Sequence, residues 1–332
     1  MTVADHRIRY RTPLGVAAVG DSLDVLAELA PESVDLVVTS PPFALLRQKS
    51  YGNAEQGEYV DWLCRFAPLV HRVLKPSGSY VLDLGGSYQR GRPIRSLCPF
   101  RVLLRHVDDY GFHLAEEFFW HNPSKLPSPI EWVNKRKIRA KDTVNCLWWL
   151  SKTDAPKANV SRVLVPYSAR MKTLLRDPEA FYTPKDRPSG HAVSSGFAKD
   201  NGGAIPSNLL QIPNTESNST YLRLCKALGV EGHPARFPVG VPEFFIKFLT
   251  EEGDTVVDIF GGSGTTGDAA ERLGRRWLTV DIDEGFVRGS ALRFLGDRDD
   301  PAARQLLAAI DAGERPLIAA RQPSLFVDAE AS

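Results

Sequence analysis

A chain of 332 residues exceeds the usual size of one compact core, so a large domain carrying an insertion, or two domains, is expected. At 43% hydrophobic and 24% charged residues with a net charge of +1, the composition is that of an ordinary globular protein and argues neither for nor against nucleic acid as a partner. No apolar run approaches the ~18 residues of a membrane span, the polar start lacks the apolar segment of a signal peptide, and the four cysteines (Cys64, Cys98, Cys146, Cys225) and seven histidines fall at no metal-ligand spacing; a cytoplasmic protein without a disulfide framework or metal site is expected.

In chain order, the β-branched run at 34–38, bounded by Pro31 and by Pro41-Pro42, predicts a short buried strand ended by a stiff turn. Tyr59, Leu63, Phe66, Val70, Val73 and Leu74 keep helical spacing up to the stop signal Lys75-Pro76-Ser77-Gly78, and Pro68 predicts a kink in that helix. A buried strand at 79–84, a helix at 100–110 closed by Gly111 and a strand at 114–120 follow. This alternation predicts a parallel, helix-covered sheet. The pattern then breaks. Residues 127–145 are mixed and basic, with five cations among the seven residues 135–141, and 144–151 reads as another strand. From 182 to 219 the chain is rich in Pro, Ser, Gly and Asn, anchored by Tyr182, Phe197, Ile205, Leu209 and Leu210. A loop of that length inside a domain is expected where it has a function. Regular structure resumes with a helix from Pro242 carrying Phe244, Phe245, Phe248 and Leu249 and closed by Gly253. A strand at 255–260, a helix at 265–273, a strand at 276–280 and a helix at 284–295 follow, and the polar segment after Ala312 reads as a frayed tail.

Two motifs carry chemistry. The late one, Phe260-Gly261-Gly262-Ser263-Gly264-Thr265, follows a strand ending at Asp258 and opens a helix, and Asp258, Ser263, Gly264 and Thr265 are expected with the glycines to contact a nucleoside cofactor. Glycines let a backbone approach a ligand closely, and helix N-terminal amides face its polar end. Asp281, ending the next strand, is placed to take ribose hydroxyls. Gly262, Gly264 and Gly267 also satisfy G-x-G-x-x-G, so this loop alone leaves a dinucleotide oxidoreductase open.

The early motif is Ser40-Pro41-Pro42-Phe43. Proline has no N–H and two in a row stiffen the turn, leaving a hydroxyl, fixed carbonyls and an aromatic face exposed. An aromatic exocyclic amine is a poor nucleophile because its lone pair is delocalised. Acceptors on its hydrogens, Ser40 Oγ and the Pro41 carbonyl, would draw the nitrogen toward tetrahedral geometry while Phe43 stacks on a base extruded from its duplex. With this clamp present, S-adenosylmethionine is the expected nucleoside cofactor.

These motifs, in this order, resemble those of the β-class DNA amino-methyltransferases, in which the Ser-Pro-Pro-Phe motif precedes the cofactor loop. The resemblance extends from Tyr10 to about Leu295, through residues 39–53, 122–139, 181–191, 197–212, 233–238 and 256–267, and is strongest to the cytosine-N4-specific branch. It implies a Rossmann-like α/β methyltransferase fold with a seven-stranded, mostly parallel sheet and an inserted target-recognition region. It implies that Gly261, Gly262 and Phe260 wrap the cofactor, Asp281 holds its ribose, Asp21 meets its adenine, and the 233–238 segment, with His233, Pro234 and Phe237, forms its methionine end. Asp83, on the strand beside Ser40, would polarise the serine and help accept a proton. Lys135, Arg136, Lys137, Arg139, His191, Lys199 and Asn201 would contact double-stranded DNA. The implied organisation is a catalytic half at 1–124, recognition at 125–230, a cofactor-binding half at 231–312 and a flexible tail at 313–332. The implied reaction is methylation of cytosine N4 in a short palindrome, CAGCTG foremost, by a monomer paired with a restriction endonuclease. An adenine-N6 enzyme shares the clamp and stays open at this level.

Overall fold

The computed structural model describes residues 3–43, 58–89, 91–178, 199–215, 219–296 and 300–319. Among these residues nine strands form one sheet in the order β1-β2-β9-β8-β3-β4-β6-β5-β7. They are β1 (Ile8–Arg11), β2 (Gly15–Val19), β3 (Val34–Thr39), β4 (Leu74–Gly85), β5 (His113–His121), β6 (Val144–Ser151), β7 (Leu209–Gln211), β8 (Thr255–Asp258) and β9 (Arg276–Asp281). The run β2-β9-β8-β3-β4 is parallel throughout, β5 and β7 pair in parallel, and β1 and β6 run against their neighbours.

The sheet therefore has nine strands where seven were expected, because short edge strands were added at both sides. It is also less simply alternating than the sequence predicts: β6 inserts antiparallel between β4 and β5. Two strands from 125–230, β6 and β7, belong to this sheet, so that stretch is woven into the main layer.

Both faces are covered, as a parallel sheet requires. All six residues of β3 are buried. Leu36 and Val38 pack into the apolar layer on one face with Val81, Trp149, Phe245 and Val256. Val34 and Val37 pack on the other with Val70, Tyr80, Leu82 and Val257.

Three helical expectations are corrected. The helix read across 59–74 is two, Tyr59–Cys64 and Ala67–Val73. Pro68 lies in the first turn of the second, where its missing N–H leaves no intrahelical bond unmade. Leu74, read as the helix end, opens β4. The helix read across 284–295 is α-helical only over Glu284–Ser290 and continues as a 3-10 turn, Ala291–Leu295, with a further helix at Asp300–Asp311. The tail is docked in its first part: Pro316 accepts from the Arg11 N–H at 2.9 Å, Ile318 donates back to the Arg11 carbonyl at 2.8 Å, and Ile318 is buried.

The consequence for the site is directional. β3, β4, β8 and β9 are parallel, so their C-terminal ends share one edge, and antiparallel β6 brings its first residues there. Ligands of open α/β sheets bind outside such carboxyl ends.

Candidate active site

Along this edge lies a cavity of about 500 Å³, within the range of small-molecule sites. Ser40, Pro41, Pro42, Phe43 and Asp83 line one part. Asp21, His233, Phe237, Phe260, Gly261, Gly262, Ser263, Thr265 and Asp281 line another. The two motifs, some 220 residues apart in the chain, thus face one space because β3 and β8 are hydrogen-bonded neighbours.

Ser40 follows the end of β3 and donates from Oγ to Asp83 Oδ2 at 3.0 Å. The other carboxylate oxygen, Oδ1, accepts from Asn145 Nδ2 at 3.0 Å. Burial pushes the Asp83 carboxyl up to about 6, opposed by the hydrogen bonds from Asn145 and Ser40 and by the charge of Lys125. The serine hydrogen is engaged with Asp83, so the lone pairs of Oγ remain for a donor in the cavity. Phe43 lies over Gly85 so closely that a Cβ there would meet its Cε2 at 2.4 Å. Glycine at 85 is what lets the ring lie this close to β4.

The glycine loop is built for close approach. Gly262 adopts φ +47°, and a Cβ on it would sit 3.2 Å from His233 Nε2. Its N–H donates to Asp281 Oδ2 at 2.8 Å, while Oδ1 accepts from the Asp283 N–H at 3.0 Å. Each Asp281 oxygen thus keeps lone pairs for further donors, and burial raises this carboxyl above its usual range against those two amides. Asp21 caps the helix Ser22–Glu28 by accepting from the Leu23 N–H at 2.8 Å. Phe260 is held by Trp62 and Phe66, with ring centroids at 5.6 and 5.1 Å.

Three residues expected to touch the cofactor do not line the cavity: Asp258, Gly264 and Pro234. Asp258 is fully buried and braces the loop from behind. Its Oδ1 accepts from Thr39 Oγ1 at 2.5 Å and from the Phe260 N–H at 3.0 Å, and its Oδ2 from Thr266 Oγ1 at 2.6 Å. One carboxylate so ties the end of β3 to the glycine loop and to the helix Thr265–Arg272. Burial pushes it up to about 6 against these three hydrogen bonds. Gly264 is the left-handed residue, φ +73°, that starts that helix.

The DNA-contact candidates lie outside the cavity. Lys135, Arg136, Lys137 and Arg139 are exposed on the β5–β6 connection, which also sends Lys125 into the cavity. Glu131 accepts from Arg136 Nε at 3.0 Å and lies 3.3 Å from Lys135 Nζ, and Arg136 covers the Trp132 ring at 4.9 Å. Arg139 donates to the Pro93 carbonyl at 2.9 Å. Lys199 and Asn201 are exposed on a turn where the Asn201 side chain donates to the Lys199 carbonyl at 3.3 Å. His191 lies outside the described residues.

Sequence reasoning missed several lining residues: Asn145, Trp120, Asn122, Lys125, Asn214 and Ile282. Ile282 had a local signal, an apolar residue directly after Asp281, and it is 71% exposed at the glycine-loop part of the cavity. Asn145 had none, since its contact with Asp83 follows from the pairing of Gly85 with Asn145 across β4 and β6.

Known proteins resemble this chain at both levels. The Type II methyltransferase M.PvuII of Proteus hauseri is 59% identical over 286 residues, covering 86% of this chain and 85% of its own length. The Type II methyltransferase M.BglII of Bacillus subtilis is 26% identical over 81% of this chain and 65% of its own. The solved structure of the PvuII DNA methyltransferase (cytosine-N4-specific) superposes with a TM-score of 0.78 at 47% identity, covering 95% of this chain and 99% of that one. A Thermus thermophilus protein solved with S-adenosyl-L-methionine shares the fold at a TM-score of 0.51 and 21% identity, covering 94% of this chain and all of its own. A family model for DNA methylases of the N6 and N4 type matches residues 34–292, and the chain belongs to that family.

Proposed function

We propose that this protein methylates the N4 amino group of a cytosine extruded from double-stranded DNA, using S-adenosylmethionine, at a short palindromic site. The observation that carries the reading is the hydrogen-bonded series Asn145–Asp83–Ser40, set in the same cavity as the glycine loop. The 59% identity to a Type II methyltransferase over most of both chains supports it.

The cavity fits S-adenosylmethionine on its own terms. Asp281 has lone pairs left for ribose hydroxyls, and Gly262 leaves a cradle that a side chain would close. Arg236, on the wall, carries a buried Nε–H with no acceptor among the described residues, a donor suited to the carboxylate of the methionine end. When bound, the cofactor supplies an electrophilic methyl group on sulfonium.

Everything else is work for the chain. Asp83, ionised and fixed by Asn145, holds the Ser40 hydrogen. Ser40 Oγ is then an acceptor aimed at the amino group, and with the Pro41 carbonyl it localises the nitrogen lone pair. Phe43 stacks on the base, and the stiff Pro41-Pro42 turn fixes the approach, so most of the rate comes from positioning. As the nitrogen gains its methyl, its proton passes to Ser40 Oγ while the serine hydrogen moves to Asp83 Oδ2. Residues 125–219, with the exposed cations at 135–139 and Lys199 and Asn201, serve target recognition. The first site to test is CAGCTG. Action as a monomer on each strand in turn, inside the cell and beside a matching endonuclease, completes the reading.

The test is incubation with labelled S-adenosylmethionine and mixed-sequence DNA, followed by digestion to nucleosides and mass identification. N4-methylcytosine at one mapped site is the expected product. N6-methyladenine would overturn the base assignment, and absence of label with cofactor bound would overturn the DNA substrate.

A further inference from the structure

The connection from β5 to β6 leaves the cavity at Asn122 and Lys125 and returns to it at Thr143 and Asn145. Between these points its backbone is pinned. The Asn122 N–H donates to the Thr143 carbonyl at 2.9 Å and the Asp142 N–H to the Ser128 carbonyl at 2.9 Å. Lys141 Nζ donates to the carbonyls of Pro123 at 3.4 Å and Lys125 at 3.3 Å. Arg95 closes on the Asp142 carboxylate with two hydrogen bonds of 2.7 and 2.8 Å. Pro123, Pro127 and Pro129 fix φ at three further positions.

From this stiffened tip Leu126 stands 81% exposed, with Ile130 61% exposed nearby in the chain. A single surface leucine is ordinary. Here three features coincide: the leucine is adjacent to a residue of the cavity wall, its backbone is ordered in advance, and the same loop carries the cations of 135–141. The partner that suits it is apolar in its interior and anionic on its outside, which is a base step of duplex DNA. Apolar side chains inserted from cation-bearing loops unstack base steps, and extruding a base leaves a gap that must be filled.

We propose that Leu126 is the wedge that enters the base stack as the target cytosine leaves it. This rests on the reading of the protein as a methyltransferase of an extruded cytosine. Leu126 is a positioning residue: it touches neither the reacting nitrogen nor the cofactor, and it lowers the cost of the extruded state.

The experiment uses the full chain with S-adenosylmethionine and two duplexes bearing the mapped site. In one the target cytosine is paired; in the other it faces an abasic position, so extrusion costs little. On the paired duplex, Leu126→Ala should lower kcat/KM about 30-fold, since extrusion is opposed by stacking and pairing of a few kcal/mol. On the abasic-opposed duplex it should stay within about threefold of the wild type, and Leu126→Met, which keeps an apolar wedge, should stay close to wild type on both. An equal loss on the two duplexes, or no loss on the paired one, overturns the wedge. Failure of the wild type itself to methylate the paired duplex would instead overturn the methyltransferase reading on which the wedge depends.

Discussion

Ser40 has one hydrogen, and Asp83 holds it, so the charge state of a single buried carboxyl decides what the serine oxygen offers to the cavity. Protonated, Asp83 becomes a donor and competes for the Oγ lone pairs. With its carboxyl at about 6, kcat/KM should rise with pH across a midpoint near that value and level off above it. Asn145 favours the ionised form, so Asn145→Ala should move this acidic limb to higher pH as well as lower the plateau; a lowered plateau with an unmoved limb would assign Asn145 a merely structural part. The same elevation has a stability counterpart. The native state binds this proton more tightly than the unfolded chain, whose value is the ordinary 3.8, so stability from this group falls as pH rises from 3.8 to about 6 and is level beyond. At Gly85 the control is steric. Gly85→Ala puts a Cβ where the Phe43 ring lies, at 2.4 Å from its edge. Displacing that ring by about 1 Å should lower kcat/KM by about 100-fold while cofactor affinity, read by titration, is unchanged.

The elements gather the site by their ends, and Asp258 joins three of them. It accepts from Thr39 at the end of β3, from the Phe260 amide after β8 and from Thr266 on the following helix. Asp258→Ala leaves three donors without an acceptor, two of them buried and one partly so, which should destabilise the fold by about 3 kcal/mol in urea titration. A change under about 1 kcal/mol would mean that the loop reorganises around other partners. Legibility in the sequence follows element by element. β3, β6, β8 and β9 are readable because each is a run of apolar or β-branched residues between turn signals. β1 and β2 escaped notice because Ile8–Arg11 alternates apolar with charged residues over four positions and Gly15–Val19 is short. The helix Thr220–Leu228 carried its own signals, a Ser219 cap and Gly229 in the left-handed conformation, but they sit at the end of an irregular polar stretch. Of the site, the residues within motifs were legible because their chemistry is local. Asn145 was not, since a partner across antiparallel strands is fixed by register and register is a property of the whole sheet. Asp258 was read as a ligand residue for the same reason: a carboxylate at a strand end looks alike in sequence whether it faces the cavity or the sheet behind it.

At the scale of the whole molecule the net charge of +1 hides an uneven distribution. The β5–β6 connection joins the cavity at its base to exposed cations farther along, so on the proposed reading one segment would bring backbone attraction and base extrusion together. Its cations are unequal. Arg136 is occupied by Glu131 and by the Trp132 face, and Lys141 holds the loop together through the Pro123 and Lys125 carbonyls. Lys137 has no acidic partner among the described residues. Neutralising a phosphate releases condensed counterions, so each lysine at the DNA backbone adds about one to the slope of log affinity against log salt. Lys137→Ala should therefore reduce that slope by about one and weaken binding alike for cognate and unrelated duplexes, leaving the rate at saturating DNA unchanged. Lys141→Ala should behave differently. By releasing the carbonyls beside Leu126 it should lower the rate on paired duplex even at saturating DNA. Binding isotherms over a salt series, set beside single-turnover rates for the two variants, separate the roles. If both variants changed only the salt slope, the loop would be an electrostatic platform with no part in extruding the base.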